Sequence, residues 1–221
     1  MIDTLTTKGR AIGALMRLAG ERRWADISMI DIADAAGMTL IDLRKEFQRK
    51  SEMLSSFGRM VDDEVLRKAP RRASTQGPRD AIFEVVMSRF DALAPYKAAL
   101  KSASEGGALD GSLLKSVVRS QTAMLQAAGV NTEGPAGALR VAGLASVFAR
   151  AFHTWLDDTD PGMARTMAAL DRNLRSGERT LGMVDSLCDG ARRMKDMFRP
   201  GSRASAKTTE STSPPAPAAP L

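Results

Sequence analysis

Residues 32–54 read IADAAGMTLIDLRKEFQRKSEML, and this stretch decides the fold. The pattern predicts a short helix, a turn at Gly37 and a second short helix that begins after a Thr39 cap. Glycine suits the turn because the backbone there favours a positive φ. Ala33 and Ala36 are small, which lets the two helices cross closely. The stretch is therefore typical of a helix-turn-helix.

The second helix of this unit is predicted to have an inward and an outward side. Leu43 and Phe47 fill the small core, while Thr39 and Asp42 form a capping pair. The outward side has a size that fits the major groove of DNA, and the amide end of the following helix is expected near a phosphate. The candidate DNA-binding residues are Thr39, Leu40, Ile41, Arg44, Lys45, Arg49 and Lys50.

Residues 4–66 resemble the N-terminal unit of the TetR family of bacterial regulators. The matching motif positions are Ile32, Ala33, Ala36, Gly37, Phe47 and Lys50. Ile41, Arg44 and Glu46 stand where the family usually has Gly, Tyr and His. The resemblance implies an operator-binding homodimer. Since Glu46 would face a polyanion, a three-helix packing unit that does not bind nucleic acid stays open as the alternative.

Composition favours an all-α fold and excludes some kinds of site. Aromatic residues make up only 5% of the chain, which is rich in Ala, Leu, Met and Arg. One cysteine and one histidine exclude an intrachain disulfide and a two-histidine metal site. The net charge of +6 is spread thinly and is compatible with an anionic partner. No apolar run reaches the length of a membrane span, and we expect a cytoplasmic protein.

Composition shifts divide the chain into three parts. Residues 1–68 are predicted to form the helix-turn-helix domain, and the linker APRRASTQGP follows at residues 69–78. Residues 78–198 carry helical periodicity, with a break at Pro95, and are predicted to form a ligand-binding and dimerisation domain. The tail, residues 199–221, is rich in Pro, Ser, Thr and Ala and is expected to be disordered.

Apolar residues at helical spacing in the second domain suggest a pocket and an interface. The candidate pocket residues are Met87, Phe90, Tyr96, Met124, Phe148, Phe152 and Met167. Ordinary core filling is the alternative for them. The helix predicted over residues 135–156 is apolar round most of its surface, so we expect it to contact a partner helix too. The candidate dimer residues are Leu144, Val147, Trp155, Leu170 and Leu174.

Two further blocks carry a second resemblance. SRFDALAPYKAAL (residues 88–100) and TWLDDTDPGMARTMAALDRNL (residues 154–174) resemble the lipid-binding accessory proteins of coenzyme Q (ubiquinone) biosynthesis, which have a TetR-like fold. This resemblance implies an isoprenoid lipid in a helical pocket and membrane contact through a terminal amphipathic helix. A lipid-binding accessory protein without DNA binding is therefore the alternative function.

The sequence contains no motif of catalysis. It lacks a glycine-rich phosphate loop, paired carboxylates and a nucleophile elbow. The acidic turn of Asp157, Asp158 and Asp160 is most simply a charge cluster at a helix N-terminus. We therefore expect no enzyme activity, cofactor or metal, and predict a TetR-like regulator that responds to an apolar small molecule.

Overall fold

The computed structural model describes residues 2–69, 77–108 and 111–177, except for the side chains of residues 111 and 112. Helices account for most of these residues and strands for none, which confirms the all-α fold. The helices are α1 (Thr7–Glu21), α2 (Met29–Ala35), α3 (Leu40–Glu46), α4 (Lys50–Lys68), α5 (Pro78–Leu93), α6 (Lys97–Glu105), α7 (Gly111–Ala127), α8 (Gly134–Asp157) and α9 (residues 164–177).

Side-chain caps fix where the first helices begin. Thr6 accepts a hydrogen bond from the Gly9 amide at α1. Ser28 and Asp31 form a complete capping box at α2. Capping satisfies amide groups that have no partner inside a helix. Short helices such as α2 therefore begin at positions that the sequence alone can specify.

One cluster of buried side chains extends through the described helices. α1 packs on α6, α4 packs on α5 and α7, and α7 packs on α8. The helices of the first predicted domain thus share a core with those of the second, and the division at residues 68 and 78 stays a prediction. Most of the predicted linker (residues 70–76), the end of the second domain and the tail lie outside the described residues.

Aromatic side chains fill the centre of the second half. Phe90 stacks on Phe148 with ring centroids 5.3 Å apart, and Trp155 lies 5.5 Å from both Phe90 and Phe152. Trp155 is 1% exposed. This cluster joins α5 to α8. None of the helices within the described ranges is long and apolar enough to cross a membrane.

The residues predicted for a dimer interface lie inside the protomer. All five are buried in the core of their own chain: Leu144, Val147, Trp155, Leu170 and Leu174. Each of them is at most 8% exposed, which leaves little surface for a second chain, so they are not proposed again for this role. Leu139 on α8 and Met167 on α9 are instead exposed apolar residues.

The structure defines two connections between helices in the second half of the chain. The chain bends through a 3-10 turn at Ala94–Tyr96, where the sequence predicts a break at Pro95, and continues as α6 to Glu105. α9 begins at residue 164, after Met163 has taken a φ of 54°. The Asp160 carboxylate accepts hydrogen bonds from the Gly162 and Ala164 amides. The acidic turn thus caps α9, as its charge pattern indicates.

We predict that Asp158→Asn lowers the stability of the fold at neutral pH and reduces its acid sensitivity. The buried Asp158 carboxylate accepts hydrogen bonds from the backbone and side chain of Thr166 at 2.9 and 2.7 Å. Burial acts to raise the pKa of Asp158, but the hydrogen bonds from Thr166 and from the Asp160 amide, together with the charge of Lys97, outweigh it and hold the pKa below its usual value.

The stability that Asp158 contributes is therefore fully present above about pH 4, the pKa of an unfolded aspartate, and is lost as the pH falls through the lower folded value. Urea unfolding at neutral and acid pH measures this loss. Asp171→Asn is the matched control, because within the described part of the chain Asp171 pairs only with Arg175, at the surface. The same pH dependence in wild type and Asp158→Asn would contradict the prediction.

Candidate functional site

α2, the turn and α3 form the helix-turn-helix that the sequence predicts. Gly37 has a φ of +63° in the turn. Thr39 accepts a hydrogen bond from the Asp42 amide at 3.1 Å and donates one to its carboxylate at 2.7 Å. Leu43 and Phe47 are buried beneath α3. The capping pair and the inward residues therefore occupy the positions expected for them.

The outward face of α3 presents an apolar side chain between cations. Ile41 is 71% exposed, and Arg44 and Lys45 are exposed as well. Lys45 pairs with Asp42 at 2.8 Å, and Arg44 donates to the Gln48 side chain at 3.2 Å. Exposed pairs of this kind contribute little free energy, so a phosphate can compete with Asp42 and Gln48 for the two cations.

Leu40 and Arg49 flank this face in different ways. Leu40 is half-buried and packs against the core, which leaves only part of its side chain for an outside partner. Arg49 is exposed just before α4, where its guanidinium makes only a weak surface pair with the Glu52 carboxylate at 3.9 Å among the described residues. Arg49 is thus available to an anion, whereas Leu40 is mainly a packing residue.

Glu46 has a partner that the sequence does not reveal. Its carboxylate lies 3.4 Å from the Lys8 ammonium on α1. The negative charge expected to oppose DNA binding is therefore offset by a cation from a different helix. The pair is partly exposed, so it reduces the repulsion without abolishing it.

Lys50 takes a role different from the expected phosphate contact. Its ammonium donates hydrogen bonds to the carbonyls of Trp24 and Ile27 at 2.5 and 2.7 Å and lies 4.9 Å from the centroid of the Trp24 ring. Partial burial lowers its pKa. Two of its three donors thus fasten the start of α4 to the turn before α2, so we do not propose Lys50 as a phosphate ligand.

We predict that Gly37→Ala lowers the free energy of unfolding by about 1 to 2 kcal/mol. A Cβ at Gly37 would meet no atom within 4 Å, so the cost arises from the positive φ and not from a clash. Urea unfolding followed by circular dichroism measures the change. Gly143→Ala is a matched control in α8 with equally open space, and there alanine should stabilise the helix. Equal effects at both positions would contradict the prediction.

An apolar cavity of about 470 Å³ lies among α4, α5, α6, α7 and α8. Its walls include Leu54 and Phe57 from α4, Arg89 from α5, and Phe148 and Phe152 from α8. The volume is in the range of small-molecule sites. We call this space the apolar cavity.

The structure brings only two of the seven predicted pocket residues to the cavity wall, Phe148 and Phe152. Phe90 and Met124 are enclosed in the core, and Met167 is 37% exposed. Met87 and Tyr96 are half-buried outside the lining. Helical spacing shows which side chains face inward, but it cannot separate a cavity wall from a filled core. The five residues outside the lining are therefore not proposed again.

The sequence prediction missed Arg89 as a cavity residue. Arg89 follows Val86 by three positions on the inward face of α5, which was the available signal. It is 7% exposed and pairs with the buried Asp62 carboxylate of α4. Ser120 of α7 accepts from Arg89 and donates to Asp62 at 2.8 Å. Burial lowers the pKa of Arg89 to about 10, so it stays charged at neutral pH.

The fold is that of TetR transcriptional regulators of known structure. One from Nitrosomonas europaea has 18% sequence identity and a TM-score of 0.61, covering 78% of this chain and 98% of that chain. One from Rhodococcus sp. RHA1 has 18% sequence identity and a TM-score of 0.58, covering 79% of this chain and 97% of that chain. A TetR-family transcriptional regulator from Streptomyces coelicolor has 19% sequence identity and a TM-score of 0.55, covering 88% of this chain and 90% of that chain.

No protein-family model and no curated protein matches the sequence. The structural likeness therefore establishes a TetR-like fold, as the N-terminal resemblance implies. The resemblance of the second half to coenzyme Q accessory proteins is not confirmed by these comparisons.

Proposed function

We propose that the protein is a non-enzymatic, DNA-binding transcriptional regulator of the TetR type that responds to an apolar small molecule. The observation that carries this proposal is the exposed cationic face of α3 in a formed helix-turn-helix. Arg44 and Lys45 hold only weak surface partners, and the opposing Glu46 is paired with Lys8. The structural neighbours, which are TetR transcriptional regulators, support the same function.

In this proposal α3 enters the major groove of an operator half-site. Arg44, Lys45 and Arg49 bind phosphates, while the exposed Ile41 and the outer part of Leu40 contact thymine methyl groups. Thr39 caps α3 and contacts the DNA backbone. Lys50 contributes indirectly, since it holds the start of α4 against the turn before α2.

A homodimer would place one α3 in each half-site. Leu139 on α8 and Met167 on α9 are 41% and 37% exposed. Exposed apolar side chains favour burial in an interface between two copies. Light scattering of Leu139→Glu/Met167→Glu tests this arrangement, and an unchanged dimer mass would contradict it.

α4 offers a physical link between ligand and DNA. Its first residue, Lys50, is bonded to the turn before α2, while Leu54 and Phe57 line the apolar cavity. A ligand that shifts α4 would move the helix-turn-helix with it and change the half-site spacing of the dimer. An accessory protein that presents an isoprenoid lipid would use the same cavity, and no observation favours that alternative separately.

Binding to the DNA upstream of its own coding sequence tests the proposed function. Affinity is measured at two salt concentrations and compared with an unrelated fragment of equal length. We expect a preference for the upstream fragment and a steep loss of affinity with salt, since phosphate neutralisation releases counterions. Equal binding to both fragments, or none, would contradict the regulator, and a co-purifying isoprenoid would then support the accessory protein.

A further inference from the structure

Arg89 brings a buried positive charge to a cavity whose walls are otherwise mostly apolar. Its guanidinium lies 5.3 Å from the centroid of the Phe148 ring, and both residues line the cavity. Asp62 and Ser120 occupy one side of the guanidinium through Nη1. Its remaining donors therefore decide what else the residue can bind.

The Nε atom of Arg89 has no hydrogen-bond partner among the described residues. A buried donor without an acceptor costs free energy, so an acceptor supplied by a ligand would be favoured. Ser55 and Gln121 also bury unpartnered polar atoms in the described part of the chain. Neither of them lines the apolar cavity, whereas Arg89 does. The unmet donor thus belongs to a residue of the cavity wall, and because Nε itself is buried, an acceptor in the cavity reaches it when the side chains that cover it move.

The charges around Arg89 restrict the kind of acceptor. Arg89 and Asp62 form a neutral pair, and both are buried. A carboxylate in the cavity would add a second, uncompensated negative charge next to Asp62, which is costly in a desolvated place. An uncharged oxygen can accept from Nε without that cost.

From this geometry we infer that Arg89 determines the specificity of the apolar cavity, which takes an uncharged, largely apolar molecule with an accepting oxygen, such as a ketone, an ester or a lactone. The inference rests on the proposed function, because it takes the apolar cavity as the site of the small molecule. Phe57, Phe148 and Phe152 supply aromatic surface for the apolar part of that molecule.

Calorimetric titration of the full chain with three probes of similar shape tests the inference without DNA. The probes are 2-acetylnaphthalene, 2-ethylnaphthalene and 2-naphthoate. We expect the ketone to bind about tenfold to a hundredfold more tightly than the hydrocarbon, as for a hydrogen bond from a charged donor. The carboxylate should bind more weakly than the ketone.

Arg89→Lys keeps a cation beside Asp62 but removes the Nε donor, so it should abolish the preference for the ketone and leave the hydrocarbon affinity unchanged. The double variant Asp62→Leu/Arg89→Met removes the donor together with both charges. It replaces the single variant in the titration if Arg89→Lys does not fold, and it should likewise lose the preference for the ketone. Ser116→Ala alters another polar residue of the wall and should retain the preference.

Equal affinities of the ketone and the hydrocarbon for the wild type would overturn the inference. Tightest binding of 2-naphthoate, or no binding of any probe, would do so as well. Operator binding is measured separately, so a ketone preference without operator binding would contradict the proposed regulator and retain the inference. Operator binding without any ketone preference would support the proposed regulator and overturn the inference.

Discussion

Asp62→Ala is expected to lower the free energy of unfolding by about 3 to 5 kcal/mol. The Asp62 carboxylate pairs with Arg89 and accepts a hydrogen bond from Ser120 at 2.8 Å, and all three residues are buried. Removing the carboxylate leaves the Arg89 charge in the core without a counter-charge. Urea unfolding followed by circular dichroism measures the loss.

A double variant separates the effect of an unpaired charge from the effect of the pair itself. Asp62→Leu/Arg89→Met replaces both charges by apolar groups of similar size, and such replacements are often neutral or stabilising. We therefore expect the double variant to be much more stable than Asp62→Ala. If the double variant loses as much stability as the single one, the unpaired charge is not the cause.

A protein with Arg44, Lys45 and Arg49 changed to alanine is expected to bind its operator about a hundredfold or more weakly. These three exposed cations surround the outward face of α3. The dependence of log affinity on log salt should flatten by roughly 0.9 for each phosphate contact removed. Fluorescence anisotropy with labelled DNA at several salt concentrations measures both quantities.

The matched control removes three exposed cations elsewhere, with Lys101, Arg150 and Arg175 changed to alanine. Lys101 and Arg175 make surface pairs with Asp157 and Asp171, far along the chain from α3. This control lowers the net charge by the same amount, so it should lose only the long-range part of the attraction. Equal loss of affinity in both proteins would mean that α3 is not the DNA-binding surface.

Much of the helix-turn-helix could be predicted from the sequence because its determinants are local. Thr39 and Asp42 are three positions apart, and Gly37 needs its positive φ whatever packs around it. Leu43 and Phe47 follow the helical repeat onto the buried side. Exposure of Ile41 and Arg44 follows from the same repeat.

Contacts between distant parts of the chain decided the rest. Ser120 and Asp62 meet across 58 positions, and Lys50 reaches the Trp24 carbonyl across 26. Lys8 offsets Glu46 from another helix. Periodicity gives the direction of a side chain on its own helix but not the partner that lies opposite, so the sequence predicted Lys50 as a phosphate ligand and left Arg89 out of the cavity.

The sequence by itself thus determined the helical class, the turn and the outward face of α3, because backbone dihedral preferences and capping act over a few residues. Only the tertiary structure decided which inward side chains enclose a cavity and which fill the core. That distinction depends on how five helices pack together, and their distances are set by the combined volumes of side chains far apart in the sequence. Arg89 came to line the cavity through that packing.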